Sequence, residues 1–400
     1  MNLLNIKKYN FNIDFFETRS IYPFYSNVFN TSNLQNFFNP NKNLSPEIGS
    51  TIHVVNYISP YFQLALNDSI IPLKTFKFSQ SIGFMANLHE FSNVDDYMKF
   101  KMSPKGRTKI RGYVRRLETC FDIRYKMYYG EITRANYEYL FKKLHSFIIH
   151  RFEERGDKHQ ALDHWDDLLK YTYFMILKKK ASLFVIYNGD VPIDICLNNH
   201  HQNILDNAIR SYDINYSKFR LGYIDILKQL EWCFENGVTI FDLSYGDFEY
   251  KRKWCNEVYG FETQIVYNNT RLEYKAMAFG ILQFYKLKEY LKKKNVHLMY
   301  HKAKRLLKSE HREDPISAEI VFQAIELETS PKPETISEID FQMDEFRYLQ
   351  RPIYDFQYLN SEHAKNIKLY KYKDHPDTFI ISGKNKKLKI AIISKNGDKI

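Results

Sequence analysis

Hydrophobic and polar positions form their clearest pattern between residues 181 and 267. Two apolar runs, at 181–187 and 191–197, flank Asn188-Gly189-Asp190, a sequence typical of a hairpin turn. The pattern then alternates between strand and helix and predicts the order β-β-β-α-β-α-β. The remaining predicted elements are a strand at 203–213, a helix from Gly222 to Gly237, a strand at 238–244, a helix at 247–260 and a strand at 261–267.

The preceding part of the chain is less regular. The first hundred residues predict mixed strands and loops, with strands at 52–58 and 70–79. Helical spacing begins after Ser103, a predicted N-cap, and Pro104, which suits a first helical turn. The elements predicted from there are a helix at 103–119, a strand at 121–129 and helices at 133–156 and 163–179.

The C-terminal third changes in charge. The stretch 277–308 predicts two basic helical segments, with nine Lys or Arg against the single acid Glu289. The stretch 310–345 holds eleven acids and two bases and predicts an acidic linker. Residues 377–400 predict a small terminal hairpin.

The net charge of +11 is therefore uneven, because the part outside 310–345 carries +20. Such a field attracts phosphates on coenzymes, sugar nucleotides, nucleic acid or lipid headgroups, and the sign does not choose among them. The helix at 103–119 carries six cations and invites a nucleic-acid interpretation, although such runs are more often solvated helix faces.

The cysteines and the apolar runs limit the class of protein. The four cysteines are far apart and form no CxxC pair, so we expect reduced thiols, no disulfide framework and no metal site. The N-terminus has no apolar core long enough for a signal peptide, and no run reaches the length of a membrane span. We therefore expect a cytoplasmic protein, at most peripheral to a membrane.

Four segments, taken in order, resemble a known family. They are a basic helix in "SPKGRTKIRGYVRRLE", then "LHSFIIHRFEERG", "YSKFRLGYIDILKQLEWCFENG" and "FDLSYGDFEYKRKW". Over roughly residues 90–305 the chain resembles the CelD/BcsL-type acetyltransferases, a branch of the Gcn5-related N-acetyltransferase (GNAT) superfamily that is also similar to the Fem-type aminoacyltransferases. The resemblance implies an α/β (α+β) fold with a GNAT-like mixed sheet, two tandem acetyltransferase-like halves, and a C-terminal helical and small β extension. The implied units are a degenerate N-terminal half (1–130), the acyltransferase core (131–276), a basic helical extension (277–309), an acidic linker (310–345) and a small β-containing tail (346–400).

The resemblance also implies a donor site at the helix that opens near Gly222. In GNAT folds this helix N-terminus binds the pyrophosphate of acyl-CoA through free backbone N–H groups. The segment that matches is Arg220, Leu221, Gly222 and Tyr223, which keeps only part of the family's longer Arg/Gln-x-x-Gly-x-Gly/Ala signature. The implied co-substrate is acetyl-CoA or another acyl-CoA, without a metal.

Catalytic groups are implied at the end of the strand 238–244. Asp242 is the candidate base or acceptor-orienting group, Lys251 the candidate for polarising the acyl carbonyl, and Tyr250 the candidate proton donor. The tyrosine that many relatives carry four residues before the final Gly-Phe is replaced by Asn256, so the acid must be Tyr250 or Tyr245. Simpler interpretations remain open: Asp242 as a cap of the following loop, and Lys251 as part of a solvated helix face.

Four further residues complete the predicted site. His145 is a second candidate base, although a buried structural histidine is the commoner case. Arg151, on the same predicted helix, is a candidate substrate-binding residue, together with Tyr245 and Gly246 near the strand end.

The predicted function is transfer of an acyl group from acyl-CoA to an amine, or a hydroxyl, on a polysaccharide or cell-envelope precursor. One alternative is a Fem-like aminoacyltransferase that uses aminoacyl-tRNA. Another is a non-catalytic GNAT-like binding module. The predicted partners are an amine-bearing sugar or envelope precursor, with tRNA or a membrane surface as further partners of the basic surface.

Overall fold

The computed structural model describes residues 5–18, 20–40, 46–67, 71–154, 156, 159–294, 321–327, 331, 333–395 and 398–399. The strands are β1 (Asn5–Asn10), β2 (Tyr25–Asn30), β3 (Gln35–Phe38), β4 (Thr51–Ile58), β5 (Phe62–Leu66), β6 (Leu73–Asn87), β7 (Ile123–Tyr128), β8 (Ala181–Asn188), β9 (Val191–His201), β10 (Ile204–Tyr212), β11 (Ile240–Tyr245), β12 (Glu257–Asn268), β13 (Val321–Glu326), β14 (Ile336–Ile339), β15 (Lys368–Tyr372), β16 (Thr378–Ser382), β17 (Lys387–Lys395) and β18 (Asp398–Lys399). The α-helices are α1 (Phe11–Thr18), α2 (Val94–Lys101), α3 (Pro104–Cys120), α4 (Arg134–Glu153), α5 (Trp165–Leu177), α6 (Leu221–Glu235), α7 (Glu249–Trp254), α8 (Leu272–Lys293) and α9 (Gln350–Asn360).

A mixed nine-stranded sheet organises the first 270 residues. Its strand order is β1-β4-β12-β6-β11-β10-β9-β8-β7, and among these described strands only the pairs β1–β4 and β10–β11 are parallel. The strands β8, β9 and β10 form the predicted antiparallel meander, and Gly189, at φ 57°, supplies the left-handed residue of the first hairpin. The predicted order β-β-β-α-β-α-β is confirmed as β8-β9-β10-α6-β11-α7-β12.

One predicted helix is too long. The segment 247–260 forms a helix only over Glu249–Trp254, because Glu257–Gly260 already belongs to β12 and pairs with β6. Asn256 holds the chain where α7 ends and β12 begins. Its side-chain oxygen accepts a hydrogen bond from the backbone N–H of Asn87, and its side-chain nitrogen donates one to the backbone carbonyl of Asn87, both at 2.8 Å. Pairing with β6 thus overrides the local helical pattern.

Alternate residues of β10 and β11 supply hydrophobic packing to both faces of the sheet. Ile204 and Ile240 pack into a cluster with the phenylalanines of α1 and with β2 and β5. Leu205 and Phe241 point to the other face, where they meet apolar residues of α6 such as Leu230. This alternation directs any polar residue of the two strands toward one face or the other.

Strands from both predicted GNAT-like halves share this one sheet. β12 lies between β4 and β6, and β7 pairs with β8 across the predicted boundary at residue 130. The predicted fold class, with a mixed sheet and a small C-terminal β extension, is confirmed. The domain boundaries themselves stay predictions.

The C-terminal extension is a six-stranded antiparallel sheet, ordered β13-β17-β16-β15-β14 with β18 beside β17. Strands β13 and β14 lie within 310–345, where the acidic composition predicts a linker, because their apolar residues pair with β17 and β15. Residues 295–309 of the predicted basic extension and 310–320 of the predicted linker lie outside the described residues.

Helix α9 joins this extension to the large sheet's helical layer. The ring of Tyr354 lies 4.5 Å from that of Tyr216, and Arg116 of α3 donates to the carbonyl of Tyr358 at 2.7 Å. Tyr216 belongs to a 3₁₀ turn, Ile214–Phe219, that leads directly into α6. The extension therefore supports the loop before α6. No helix in the described part of the chain is long and apolar enough to cross a membrane.

Candidate active site

The parallel strands β10 and β11 are paired only over the first three residues of each strand. They pair at only three positions, Ile204 with Ile240, Leu205 with Phe241, and Asp206 with Asp242. Beyond that point β10 has a bulge between Asn207 and Ile209 against β9. β11 has an irregularity after Asp242 against β6. The two strands therefore diverge directly after a pair of aspartates.

Asp242 is fully buried and receives hydrogen bonds from three residues. The hydroxyl of Tyr61 donates to Oδ2 at 2.8 Å, and the hydroxyl of Tyr259 donates to Oδ1 and Oδ2 at 2.9 and 2.7 Å. The backbone N–H of Ser244 donates to Oδ1 at 2.7 Å. Burial raises the pKa of Asp242, and the donors of Tyr259, Ser244 and Tyr61 oppose that rise by stabilising the carboxylate.

A glycine allows Tyr259 to reach this carboxylate. Tyr259 lies on β12, two strands away from β11, and is paired with Gly83 of the intervening β6. A Cβ atom at position 83 would lie 2.3 Å from the Tyr259 ring. The missing side chain of Gly83 therefore lets the ring cross β6 and place its hydroxyl on Asp242.

Asp206 shares this buried environment. It is 3% exposed, and its Oδ1 has no hydrogen-bond partner among the described residues. Burial, followed by repulsion from Asp242, raises the pKa of Asp206 to about 8, while Asn199, Lys251 and Asn12 act in the opposite direction. At neutral pH the pair therefore holds a proton, which we assign to Asp206 because Asp242 has the better set of donors.

Lys251 closes the end of β11. It is 4% exposed, and its Nζ donates to the carbonyl oxygens of Ser244, at 3.3 Å, and Tyr245. The chain bends sharply there, with φ 60° at Ser244 and 103° at Gly246, so the strand-end carbonyls turn toward the lysine. Burial lowers the pKa of Lys251 to about 8, and the attraction of Asp242 opposes this.

We call Asp206, Asp242, Lys251, Tyr61 and Tyr259 the strand-end site. It combines a carboxylate, a second carboxyl group that retains a proton, a cation of lowered pKa and two tyrosine hydroxyls. These are the groups that proton transfer and oxyanion stabilisation require. Perturbed pKa values from burial and from a specific charge partner are typical of functional sites.

A second buried group of charges lies beside α6, and we call it the arginine cluster. Arg210 of β10 donates at 2.6 Å to both carboxylate oxygens of Asp225 and to the carbonyl of Gly222. Burial and the neighbouring Asp225 raise the pKa of Asp194, and Cys196 donates to Asp225 at 3.3 Å. The ligand atoms of Asp194, Cys196 and Asp225 lie within 4.8 Å of one another, but the guanidinium of Arg210 already supplies their positive charge.

Tyr250 and Arg151 border the arginine cluster. The guanidinium carbon of Arg210 lies 5.2 Å from the centroid of the Tyr250 ring, which stacks on Phe248 at 5.9 Å. Burial raises the pKa of Tyr250, so its hydroxyl stays protonated at neutral pH. Arg151 reaches in from α4 and lies 4.8 Å from the centroid of the Tyr212 ring.

The predicted donor segment begins α6. Arg220 precedes the helix in a left-handed conformation, φ 60° and ψ 43°, with an exposed side chain, while Leu221 is buried in the core. The carbonyl of Gly222 accepts from Arg210, and a Cβ at Gly222 would lie 3.1 Å from that guanidinium. Tyr223 packs its ring against Tyr113 and Trp254, at 6.0 and 6.4 Å.

Part of the chain that contains this site matches a known protein family. Residues 104–252 match the family model described as an acetyltransferase (GNAT) domain. We call the matched residues 104–252 the GNAT domain. The match contains most of the strand-end site and the whole arginine cluster, but Tyr61 and Tyr259 lie outside it. No curated protein matches the sequence at a significant level.

Several solved structures resemble the chain at low identity. A conserved protein of unknown function from Bacteroides thetaiotaomicron is 8% identical, with 54% of this chain and 69% of that one covered and a TM-score of 0.34. L-PGS from Bacillus licheniformis is 13% identical, with coverages of 57% and 72% and a TM-score of 0.35. FemX is 10% identical, with coverages of 50% and 65% and a TM-score of 0.35. The domain assignment rests on the family model and not on these distant likenesses.

The GNAT domain brings some predicted site residues together and separates others. Asp242, Lys251, Tyr245 and Gly246 meet at the end of β11, where Tyr245 is half exposed and its hydroxyl donates to Gln160 at 3.2 Å. Tyr250 and Arg151 belong instead to the border of the arginine cluster. His145 lies on α4 with its ring 4.9 Å from that of Trp165, in the packing between α4 and α5.

The sequence pattern does not single out several residues of these two groups. Asp206 occupies a buried position of β10, and an acidic residue at a position where the strand pattern predicts an apolar one could have indicated a functional site. Tyr259 directly precedes Gly260-Phe261, the closing pair of the resemblance, one residue away from the glycine. Tyr61 and Arg210 carry no local signal, because only the sheet topology brings them to their partners.

Proposed function

We propose that this protein is an acyltransferase that moves an acetyl or other acyl group from acyl-CoA to an amine, or a hydroxyl, of a polysaccharide or cell-envelope precursor. The observation that carries the proposal is the parting of β10 and β11 directly beyond Asp206 and Asp242, beside the first turn of α6. The GNAT domain supports transfer of an acyl group as the reaction class. The acceptor and the acyl donor are the proposed part.

The donor would be held at the start of α6. The first N–H groups of an α-helix have no partner within the helix, and its N-terminus carries partial positive charge. In α6 the N–H of Tyr223 already donates to the carbonyl of Arg220 at 2.8 Å, so the N–H groups of Leu221 and Gly222 are the ones proposed to face the donor. Arg220 is exposed at this position and can pair with a phosphate oxygen. Leu221 is buried and anchors the first turn of α6. Gly222 packs against the guanidinium of Arg210, and the ring of Tyr223 lies beside this turn, against Trp254.

The chemical step would take place at the strand-end site. The amine nitrogen attacks the thioester carbonyl carbon, and the Lys251 ammonium stabilises the negative charge that develops on the carbonyl oxygen. The amine proton passes to Asp242 through the hydroxyl of Tyr259, which already donates to that carboxylate. The carbon–sulfur bond then breaks, and the CoA thiolate takes a proton from Tyr250, whose raised pKa keeps that proton available until then.

The amine-bearing envelope precursor would approach from the rim of the strand-end site. Tyr245 and Phe248 are about half exposed there and offer aromatic faces to a sugar or a peptide stem. Gly246 at the strand end and Arg151 at the border of the arginine cluster are the further proposed substrate contacts. His145 is a weaker candidate base, since its ring packs between two helices.

Transfer from an aminoacyl-tRNA is the second candidate function. It would need a basic surface for the tRNA, and α3 is the helix that could supply one. Three of its six cations are used within the protein: Arg107 donates to the carbonyl of Met102, Arg111 pairs with Asp95, and Arg116 donates to the carbonyl of Tyr358. This use leaves a smaller cationic surface than the sequence implies. A non-catalytic binding module is the third candidate.

Release of free CoA, followed with a thiol reagent, tests the proposal. Purified protein is incubated with acetyl-CoA or a longer acyl-CoA and with amine-bearing sugars or sugar nucleotides. We expect acceptor-dependent release that falls at least about 100-fold in Lys251→Met and Asp242→Asn, since one oxyanion donor or general base contributes this much. Lys170→Met, at an exposed lysine of α5, is the matched control and should keep the wild-type rate.

Binding of the donor is measured separately by thermal shift. Acetyl-CoA at 100 times its Kd should stabilise the protein by about 2.7 kcal/mol, and Arg220→Ala should weaken this shift. Absence of any shift with every acyl-CoA, together with transfer from aminoacyl-tRNA, would replace the first candidate by the second. Absence of both activities, with normal folding, would favour the binding module.

A further inference from the structure

Helix α8 packs on the large sheet with one side only. Tyr274, Ala278 and Leu282 are buried against β12 and β6, and Phe76 and Phe78 of β6 pack beside them. These contacts follow the i, i+4, i+8 spacing of a single helical stripe. The inward side of α8 therefore accounts for its attachment to the protein.

The outward side of α8 is also apolar. Six large hydrophobic residues of this helix are between 40% and 80% exposed, namely Leu272, Phe279, Phe284, Leu287, Tyr290 and Leu291. At 100° per residue they fall within a sector about 140° wide, opposite the buried stripe. Scattered exposed hydrophobic residues are ordinary, but a sector along six turns in which Glu273 and Gln283 are the polar positions of α8 marks an interaction surface.

Lysines flank this sector on both sides. Lys275 and Lys286 project beside Phe279 on one edge, and Lys288 projects beyond Phe284 on the other. All three are exposed, and the acids of the helix are limited to Glu273 and Glu289. An apolar sector with cations along its edges is the arrangement of helices that lie in the surface of an anionic membrane, where the lysines reach the headgroup phosphates.

The charges decide among possible occupants of this surface. A second copy of α8 would bring lysines against lysines, which opposes self-association. A nucleic acid would pair with the lysines but would leave the apolar sector in water. A bilayer with anionic lipids satisfies both features at once.

The same helix leads toward the strand-end site. The ring of Tyr285, in the C-terminal half of α8, lies 5.3 Å from that of Phe78. Tyr57 stands near Tyr285 and raises its pKa, after burial as the larger cause. The ring of Tyr57 in turn lies 5.8 Å from that of Tyr245, at the rim of the strand-end site.

We propose that α8 docks its outward face on a bilayer that contains anionic lipids, with the helix axis in the plane of the membrane. If the proposed acyl transfer is correct, docking brings the protein to a surface that can carry an envelope-precursor acceptor. The docking surface itself does not depend on that reaction.

Co-sedimentation of the full chain with vesicles tests the proposal. The vesicles are made of phosphatidylcholine alone or of phosphatidylcholine with phosphatidylglycerol. We expect binding to the anionic vesicles, weaker binding at high salt, and a loss of at least about tenfold in Phe284→Glu/Leu287→Glu, because both side chains would enter the interface. The matched control is Phe174→Glu/Leu177→Glu, an exposed Phe and Leu at the same spacing on α5, which should bind like the wild type.

Several outcomes would overturn the proposal. One is that the wild-type chain does not bind anionic vesicles, and another is that both double variants lose binding equally. A concentration-dependent dimer that disappears only in the α8 variant would assign the face to a second copy. Retention by bulk tRNA but not by vesicles would assign it to nucleic acid. Vesicle binding by a protein that never releases CoA would support docking and reject the proposed reaction, so the two failures are distinguishable.

Discussion

Replacing Asp206 by asparagine should remove a pH dependence of stability that arises in the strand-end site. In the folded protein burial and Asp242 raise the pKa of Asp206 to about 8, whereas an unfolded aspartate titrates near 3.9. Between these values the folded state holds a proton that the unfolded state has released. The stabilising effect of this proton is complete below about pH 4 and disappears as the pH rises through about 8.

The expected magnitude follows from one proton. Between pH 5 and pH 7 the free energy of unfolding of the wild type should fall by about 1.4 kcal/mol per pH unit relative to Asp206→Asn, or about 2.5 kcal/mol over the interval. This slope requires only that the folded pKa lies above 7. The asparagine side chain of this variant keeps the neutral shape of the protonated acid and can still accept from Asn199, so the variant should fold.

Urea titrations at pH 5, 6 and 7 measure this difference. All three tryptophans, Trp165, Trp232 and Trp254, lie beside or within the GNAT domain, so their fluorescence reports on the sheet that holds Asp206. Asp190→Asn, at a fully exposed aspartate, is the control and should run parallel to the wild type.

Two results would refute the reasoning. Parallel stability curves for the wild type and Asp206→Asn would mean that Asp206 is ionised when folded. A second test uses Asp242→Asn, which should reduce the slope without abolishing it, because burial is a larger cause of the raised pKa than Asp242 is. Complete loss of the slope in that variant would show that repulsion, not burial, dominates.

Three further predictions address the neighbouring groups. Gly83→Ala should destabilise the protein by about 1–3 kcal/mol in urea unfolding, because the new Cβ would lie 2.3 Å from the Tyr259 ring; an unchanged midpoint would contradict the close approach. Arg210→Met should cost about 3–5 kcal/mol by leaving Asp225 buried without its cation, whereas a gain in stability would mean that the cluster is already neutral. If Lys251 acts as an ammonium, acyl transfer should decline as the pH rises through about 8, and Lys251→Arg should retain part of the rate above that pH; identical profiles would exclude that role.

The sequence determined the repeating elements of the GNAT domain. Alternating apolar residues around Asn188-Gly189 specify the meander, and the helical spacing after Gly222 specifies α6, because both patterns are local and each buries one face. It also indicated Asp242, Gly246 and Lys251, since a strand end followed by a short helix lies within one continuous stretch. The start of β12 was misread as helix, because its pairing with β6 depends on residues that are distant along the chain.

Tertiary structure alone decided how the strand-end site is completed. Tyr61 reaches Asp242 from 181 residues away along the chain, and Tyr259 reaches it from β12, across the intervening strand β6. Asp206 meets Asp242 only because β10 and β11 pair in parallel over three residues. Burial then sets the pKa values of Asp206 and Lys251, and burial is a property of the packed sheet. Local sequence encodes which groups are available, whereas their protonation and their partners depend on long-range strand pairing that no local pattern records.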